Sequence, residues 1–461
     1  MKTIHNLLAQ LLLFMLLGLL FSCDSFVEVD LPKSQLTAEA VFEDYNTANA
    51  AMTNIYSTVR DKGILCGAPL GISNQLGNYA DELVTIENPA KQGYTFYHNS
   101  LLPSSTYVSG YWNAAYNQIY AANNIIQGSQ ASKNLTLQQK NQLIGQSLFI
   151  RALMHFYLAN IFGDIPYVAQ TDYKMNSTLS RTSIKDVYKA VILDLQNAIP
   201  LLSPDYLSEE RTLPNAAAAQ ALLARVFLYD GAYPQASNAA SAVLNQTSLY
   251  GLESSTNVFL IHSKETIWQL QSELEGQNTA DGSYFIFTSV PPPSLSLNNN
   301  LVASFAPADL RRVNWIKAVS KGAATYYHAF KYHEKNFTPA SKEYAVVFRT
   351  AELYLIRAEA RAMQGDLIGA KEDLNKIRNR SGLGNTQAAG RQEILDAVLT
   401  ERRWEYFSEY GHRFFDLKRF GKLDAVLSTV KPGWDTADRL FPLPQAELAV
   451  NPNLRPQNPG Y

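Results

Sequence analysis

Glu401 and Glu405 stand four residues apart in LTERRWEYF, a spacing that sets both carboxylates on one helical face beside Arg402 and Arg403. Two carboxylates can divide the acid and base work of breaking a glycosidic bond. Catalytic pairs, however, flank a cleft from different elements, and neighbouring guanidinium groups keep carboxylates ionised. Ion pairing within the helix and to Arg413 is therefore the expected role. His328 and His333 lie five apart with no cysteine nearby, which is a poor zinc ligand set. Cys66 has no evident base partner and reads as a small buried hydrophobe. No HExxH, GxSxG or Walker A run occurs, so no catalytic centre or cofactor is implied. Gly382-Leu383-Gly384 follows a helical pattern and reads as a helix terminator.

What remains is the chemistry of recognition. Segments 63–110 and 245–342 lose helical periodicity and gain Gly, Pro, Asn and aromatic residues. Long irregular insertions are functional or disordered, and their aromatic density argues against disorder. Pyranose rings present apolar C–H faces that pack on flat side chains, while their hydroxyls need amide or charged partners. The candidate platforms are Tyr79, Tyr94, Tyr97 and Tyr107 in the first insertion, and Tyr284, Trp315, Tyr326 and Tyr327 in the second. Asn78, Asn99 and Arg312 are the candidate polar contacts. Hydrophobic peptides would use the same rings. Residues 284–290 are expected to form a small strand, and Trp112 to lie in the core.

The insertions need a rigid support, and helical periodicity supplies one. In 349–382, Leu353, Ile356, Ala360 and Met363 share one face, and Leu367, Ala370, Leu374 and Ile377 another. Gly365 between them suits a left-handed helix end, and Asp366 suits a cap. Segment 217–244 repeats the plan around Gly231, with Pro234 at a helix start. Counted from the turn glycine, Ala224 and Ala358 lie seven before, Ala236 and Ala370 five after, Ala240 and Leu374 nine after, and Val243 and Ile377 twelve after. Small residues at helix crossings are the packing logic of tetratricopeptide repeats. Further pairs are expected at 37–60 with 111–128 and at 137–162 with 183–202. The expected fold is mostly α: four tetratricopeptide-like hairpins in a curved scaffold interrupted by irregular aromatic-rich insertions.

Ahead of the scaffold, residues 7–21 read LLAQLLLFMLLGLLF and lead to Ser22 and Cys23. A short apolar run closed by small residues reads as an export signal covering 1–22, not a membrane span. Leu20-Phe21-Ser22-Cys23 resembles a bacterial lipobox, in which cleavage precedes the cysteine and its thiol is acylated; ordinary secretion is the alternative. The full chain carries 39 Lys and Arg against 41 Asp and Glu. Removal of the signal takes Lys2 and no acid, so the net charge moves from −2 to −3. Such a balance argues against nucleic acid as a partner. With Cys23 acylated, Cys66 is left as a lone thiol, and a large core must stabilise the exported chain without a disulfide.

Three stretches resemble the SusD/RagB family of surface lipoproteins. FGDIPYV within 147–168 is similar to the family's aromatic-GDIP turn. LTERRWEYFSEYGHRFFDLKRFG, within a C-terminal region spanning 391–461, resembles its ERR…GHR.FDLKR.G helix and turn, with Trp404 as a departure. The ending FPLPQAELAVNPNLRPQNPGY is similar to the family's NP.L.QNPGY tail. Weaker echoes are YWNAAYNQIYAANNII and ADEL. The resemblance covers one domain, 23–461. It implies an outer-membrane lipoprotein that captures oligosaccharides, or peptides and other nutrients, for a SusC-like TonB-dependent transporter. It carries over no ligand residue. A lipid-anchored glycosidase and a protein-binding envelope adaptor are the other classes compatible with the chain. If the lipobox is used, a chain with Cys23 replaced should fold and bind its ligand normally yet fail to support uptake by cells; growth on the imported nutrient measures this, and full uptake would refute the need for tethering.

Overall fold

The computed structural model describes residues 4–5, 38–86, 88–89 and 93–461; Cys23 and the leucine-rich stretch lie outside the described residues. The chain divides into units 1–41 and 42–461, the first ending in the helical turn Ala38–Val41. In the second unit, helices α1 (Tyr45–Asp61), α2 (Thr106–Ala131), α3 (Leu137–Phe162), α4 (Ile184–Ala198), α5 (Ala216–Asp230), α6 (Tyr233–Leu244), α7 (Thr350–Gln364), α8 (Leu367–Arg380), α9 (Arg391–Tyr406) and α10 (His412–Arg419) each pack against the next. None of the described helices is long and apolar enough to cross a membrane.

Local chemistry explains where these helices start and stop. Gly231 and Gly365 take φ of +78° and +91°, the left-handed region in which a side chain would be strained. Asp366 caps α8 by accepting from the Gly369 N–H at 2.9 Å, and Thr136 and Gln139 close a reciprocal capping box on α3. All eight residues matched around the two glycine turns are fully buried. All are Ala, Val, Ile or Leu on α5–α6 and α7–α8, whose helices pack pairwise, and α6 in turn packs on α7.

Six short strands, β1 (Leu83–Thr85), β2 (Thr266–Leu270), β3 (Leu295–Leu297), β4 (Ile316–Lys321), β5 (Ala324–Ala329) and β6 (Ala345–Arg349), form three antiparallel pairs: β1–β3, β2–β6 and β4–β5. The β1–β3 pair joins the two insertions, with Leu83 opposite Leu297 and Thr85 opposite Leu295. Residues 284–290 do not form the expected strand. The Thr279 hydroxyl accepts from the Gly282 N–H at 2.9 Å and starts the helical turn Ala280–Phe285, while prolines 291–293 follow at once and cannot donate to a ladder. The first insertion also contains a helix that the sequence reading did not single out, Ile72–Tyr79, buried at every position. Its polar side is covered by protein instead of water: the Asn74 and Gln75 amides donate to the Pro69 carbonyl at 2.7 and 2.8 Å.

The family-like motifs meet inside the molecule. Asp81 of ADEL accepts from Arg413 Nε and Nη2 at 2.7 and 2.9 Å and from Arg403 Nη2 at 2.8 Å. Asp164 of FGDIP accepts from the Ile184 N–H at 2.9 Å at the start of α4. Arg181 donates to the Asp164 carbonyl at 2.8 Å and to Asn458 at 2.6 Å, and Asn458 donates to the carbonyls of Phe162 and Phe441 at 2.8 and 2.7 Å. The C-terminal tail is thereby clasped to the end of α3.

Beside Asp81, the buried Glu82 accepts from the Ser408 N–H at 3.2 Å. Burial and the adjacent Asp81 charge push its carboxyl up to about 8. The folded state thus binds a proton that the unfolded chain releases near pH 4.3, and this contribution to stability fades as pH rises towards 8. Glu82→Gln mimics the protonated form. Its melting temperature relative to the parent should climb between pH 5 and pH 8, as read by thermal scans; a pH-independent difference would contradict the assignment.

Candidate functional site

Glu401 and Glu405 are both 0% exposed. Their partners differ from the expectation: neither pairs within its own helix or with Arg413. Glu401 meets Arg311 at 2.7 Å and Arg378 at 3.2 Å. Glu405 meets Arg311 at 2.9 Å and also pairs with Arg349 and Arg380. Arg402 instead holds Asp416 at 2.7 Å, and Arg403 and Arg413 hold Asp81. The sequence neighbours point elsewhere because successive residues lie about 100° apart around α9, so Arg402 and Arg403 face other elements than Glu401 and Glu405 do. Burial lifts the Glu401 carboxyl above its ordinary value, with Arg311 and Arg378 opposing. For Glu405 burial acts upward too, but Arg380, Arg349 and Arg311 together hold it below the usual carboxylate range. With no solvent reaching either acid, no substrate bond can lie between them.

The network extends further. Arg349, at the end of β6, also meets Glu265 at 3.0 Å and Glu409 at 3.0 Å. Arg380, at the end of α8, meets Glu265 at 3.2 Å. Arg311 holds Asp309 at 2.8 Å, and Lys331 pairs with Glu409 while donating to the Glu405 carbonyl at 2.7 Å. Scaffold helices α8 and α9 are thus tied to the second insertion through charge.

Four of the residues expected to meet a ligand are instead taken up by this interior. Trp315 is fully buried; its indole N–H donates to the Ser255 carbonyl at 2.6 Å, and Lys331, Arg380 and Arg349 lie over its ring at 5.0, 5.5 and 5.9 Å. Tyr79 is fully buried at the centre of Phe414, Phe441, Trp434 and Phe96, with centroids 5.1 to 6.4 Å away. Asn78 donates to the Asn74 carbonyl at 3.0 Å, and Asn99, at φ +50°, donates to the Tyr79 carbonyl at 3.0 Å; both are buried. None of the four can meet a ligand from solvent.

The half-buried candidates fall into separate groups. Tyr94 lies 4.2 Å from the His98 ring, Lys431 sits 3.7 Å over Tyr97, and Tyr107 packs on Phe96. On the β4–β5 hairpin, Tyr326 stands opposite Val319 while Tyr327 packs on the core beneath Arg312, whose guanidinium lies 5.2 Å from its ring. Elsewhere, His333 stacks on Phe330 at 4.4 Å. Cys66 is buried, donates to the Gly63 carbonyl at 3.0 Å, and is pushed up to about 12 by burial, as befits an inert thiol.

Tyr284 is the candidate that faces a cavity. A cleft of about 290 Å³ is lined by Tyr284, Phe337, Gln277, Asn336, Ser283 and Lys335, with Ala68 and Pro69 from the first insertion. It lies at the lower end of the size range of small-ligand sites, which begins at about 300 Å³. Phe337 is 61% exposed, an uncommon state for a phenyl ring on a folded surface. Asn278 clamps the walls: its amide donates to the Asn336 carbonyl at 3.0 Å and Thr338 Oγ1 at 3.0 Å, and its oxygen accepts from the Lys342 and Glu343 N–H groups at 2.9 and 3.2 Å. The buried Asp281 ties the first insertion in by accepting from the Ala68 N–H at 2.8 Å. Sequence reading, which favoured tyrosine, missed Phe337; its setting among Asn and Thr in a loop (KNFTP) is the available signal.

Comparisons with known proteins converge on one family. A family described as "Starch-binding associating with outer membrane" matches residues 72–228, and the SusD family matches 314–461. SusD-like protein P2 of Formosa agariphila is 29% identical over 416 residues, covering 77% of this chain and 81% of that one. Starch-binding protein SusD of Bacteroides thetaiotaomicron is 34% identical over 128 residues, 25% of this chain and 21% of that one. A SusD superfamily crystal structure from Bacteroides vulgatus shares the fold with a TM-score of 0.79 at 22% identity, covering 91% and 99% of the two chains. A solved laminarin binding SusD-like protein gives 0.76 at 22% identity, covering 90% and 99%.

Removing one member of the buried network strands the others. Arg349→Met should destabilise by about 3–5 kcal/mol, because Glu265, Glu405 and Glu409 lose their shared counter-charge. Lys189→Met, which breaks an exposed pair with Asp186, should leave urea denaturation unchanged. Equal midpoints for the two variants would show that the network contributes little.

Proposed function

The chain belongs to the SusD/RagB family, and on that premise we propose that it is a non-enzymatic surface lipoprotein, anchored through Cys23 to the outer membrane, that binds oligosaccharides and passes them to a SusC-like TonB-dependent transporter. The observation that carries the binding assignment is the Tyr284–Phe337 cleft, where two aromatic rings accompany amide and hydroxyl groups. Apolar sugar faces would pack on the rings while Gln277, Asn336 and Ser283 satisfy hydroxyls. The laminarin binding and starch-binding names of two relatives support a carbohydrate ligand. The burial of Glu401 and Glu405 within ion pairs supports binding without hydrolysis.

Weak affinity suits a protein that must release its cargo. Each ring would contribute on the order of 1 kcal/mol, by analogy with aromatic pairing. Phe337→Ala and Tyr284→Ala are each expected to weaken binding roughly fivefold in calorimetric titration against a glycan panel, at that energy per ring. Phe337 is exposed, so its loss leaves the core intact. Undiminished glycan affinity in both variants would rule out this cleft as the site.

A further inference from the structure

Resting on the glycan reading above, the surroundings of the cleft bear on which glycans it accepts. The Thr338 N–H donates to the Gly276 carbonyl at 2.8 Å and joins the two walls. Leu274 and Phe337, on these walls, are 57% and 61% exposed. A second cleft of about 290 Å³ is lined among others by Glu210, Glu273, Glu275, Gln271 and Tyr344. The same two chain segments wall both clefts: 271–275 continues into 277–284, and 335–337 into 340–344. A ligand longer than the Tyr284 cleft that continued along these shared walls would pass Glu273 and Glu275, both exposed.

Positive charge on this path is sparse. Lys335 is the one charged side chain among the described residues lining the Tyr284 cleft, and no lysine or arginine lines the second. Arg60 touches the wall through the Gln271 carbonyl at 3.1 Å, but its Nε and Nη2 are occupied by Asp61 at 2.6 and 2.5 Å. Lys342 is paired with Glu334 at 2.5 Å. Recognition of carboxylate or sulfate groups calls for free guanidinium forks or clustered ammonium groups. Fixed carboxylates within a Debye length, about 8 Å at physiological salt, repel such groups instead.

We infer that this site selects an uncharged glycan and rejects chains bearing uronate or sulfate groups. Full-length protein purified in detergent would be titrated with neutral hexasaccharides (maltohexaose, laminarihexaose, xylohexaose) and with oligogalacturonate, alginate and chondroitin sulfate oligomers of matched length. The expected result is a neutral ligand whose binding depends on Phe337, with every anionic oligomer weaker by roughly tenfold or more near physiological salt. Glu273→Lys combined with Glu275→Lys should narrow that ratio, and so should about 1 M salt, where screening is nearly complete. An anionic oligomer bound through Phe337 as tightly as the best neutral one would overturn the selectivity and leave glycan binding standing, as would a ratio unmoved by both charge reversal and salt. Failure of every oligomer in both classes to bind would remove the glycan reading, and this inference with it.

Discussion

Arg349 is the hub on which the rest of the architecture depends. It ends β6, begins α7, and holds Glu265, Glu405 and Glu409 in the interior, where Arg311, Arg380 and Lys331 complete the charge balance. A buried ion network is a weak source of stability by itself, since desolvation offsets most of the Coulomb gain. Breaking it is another matter: losing any member strands a charge at low dielectric, so the inserted segment is held where its charges are paired.

That constraint reaches the cleft. The second insertion is nearly 100 residues of mostly irregular chain, which without internal fixing would sample many conformations. Lys331 anchors the segment after β5, Arg311 anchors the turn before β4, and Glu265 anchors the start of β2. Between these anchors Asn278 clamps the two walls that carry Tyr284 and Phe337. The proposed sugar platform is therefore ordered before a ligand arrives, which reduces the ordering cost of binding. Trp404, the departure from the family-like helix, serves the same docking: its ring packs on Phe305 and its indole N–H donates to Ser304 at 3.0 Å.

The motifs that make the chain recognisable turn out to be internal. ADEL, the ERR helix and GHR meet through Asp81, and FGDIP meets the NPGY tail through Asn458 and Arg181. These residues hold helices to one another across hundreds of positions in sequence. The residues of the proposed cleft sit in the insertions, outside those motifs, so a resemblance built on motifs does not locate a site. The same division explains why Glu401 and Glu405, so suggestive as a spaced pair, belong to the frame.

The amino-acid sequence alone determined the mostly helical character, the glycine turns at 231 and 365 and the buried positions counted from them, because helix periodicity and left-handed glycine are local properties read within a few residues. It also pointed to aromatic-rich insertions, and to Tyr284 within them. Tertiary structure alone decided which rings face solvent. Tyr79 and Tyr284 are alike in composition of their surroundings, yet one is enclosed by Phe414, Phe441 and Trp434 and the other borders a cleft. Burial of an aromatic ring is set by partners far away in the chain, and no local pattern encodes them. The all-round burial of Ile72–Tyr79 and the distant partners of Glu405 were hidden for the same reason.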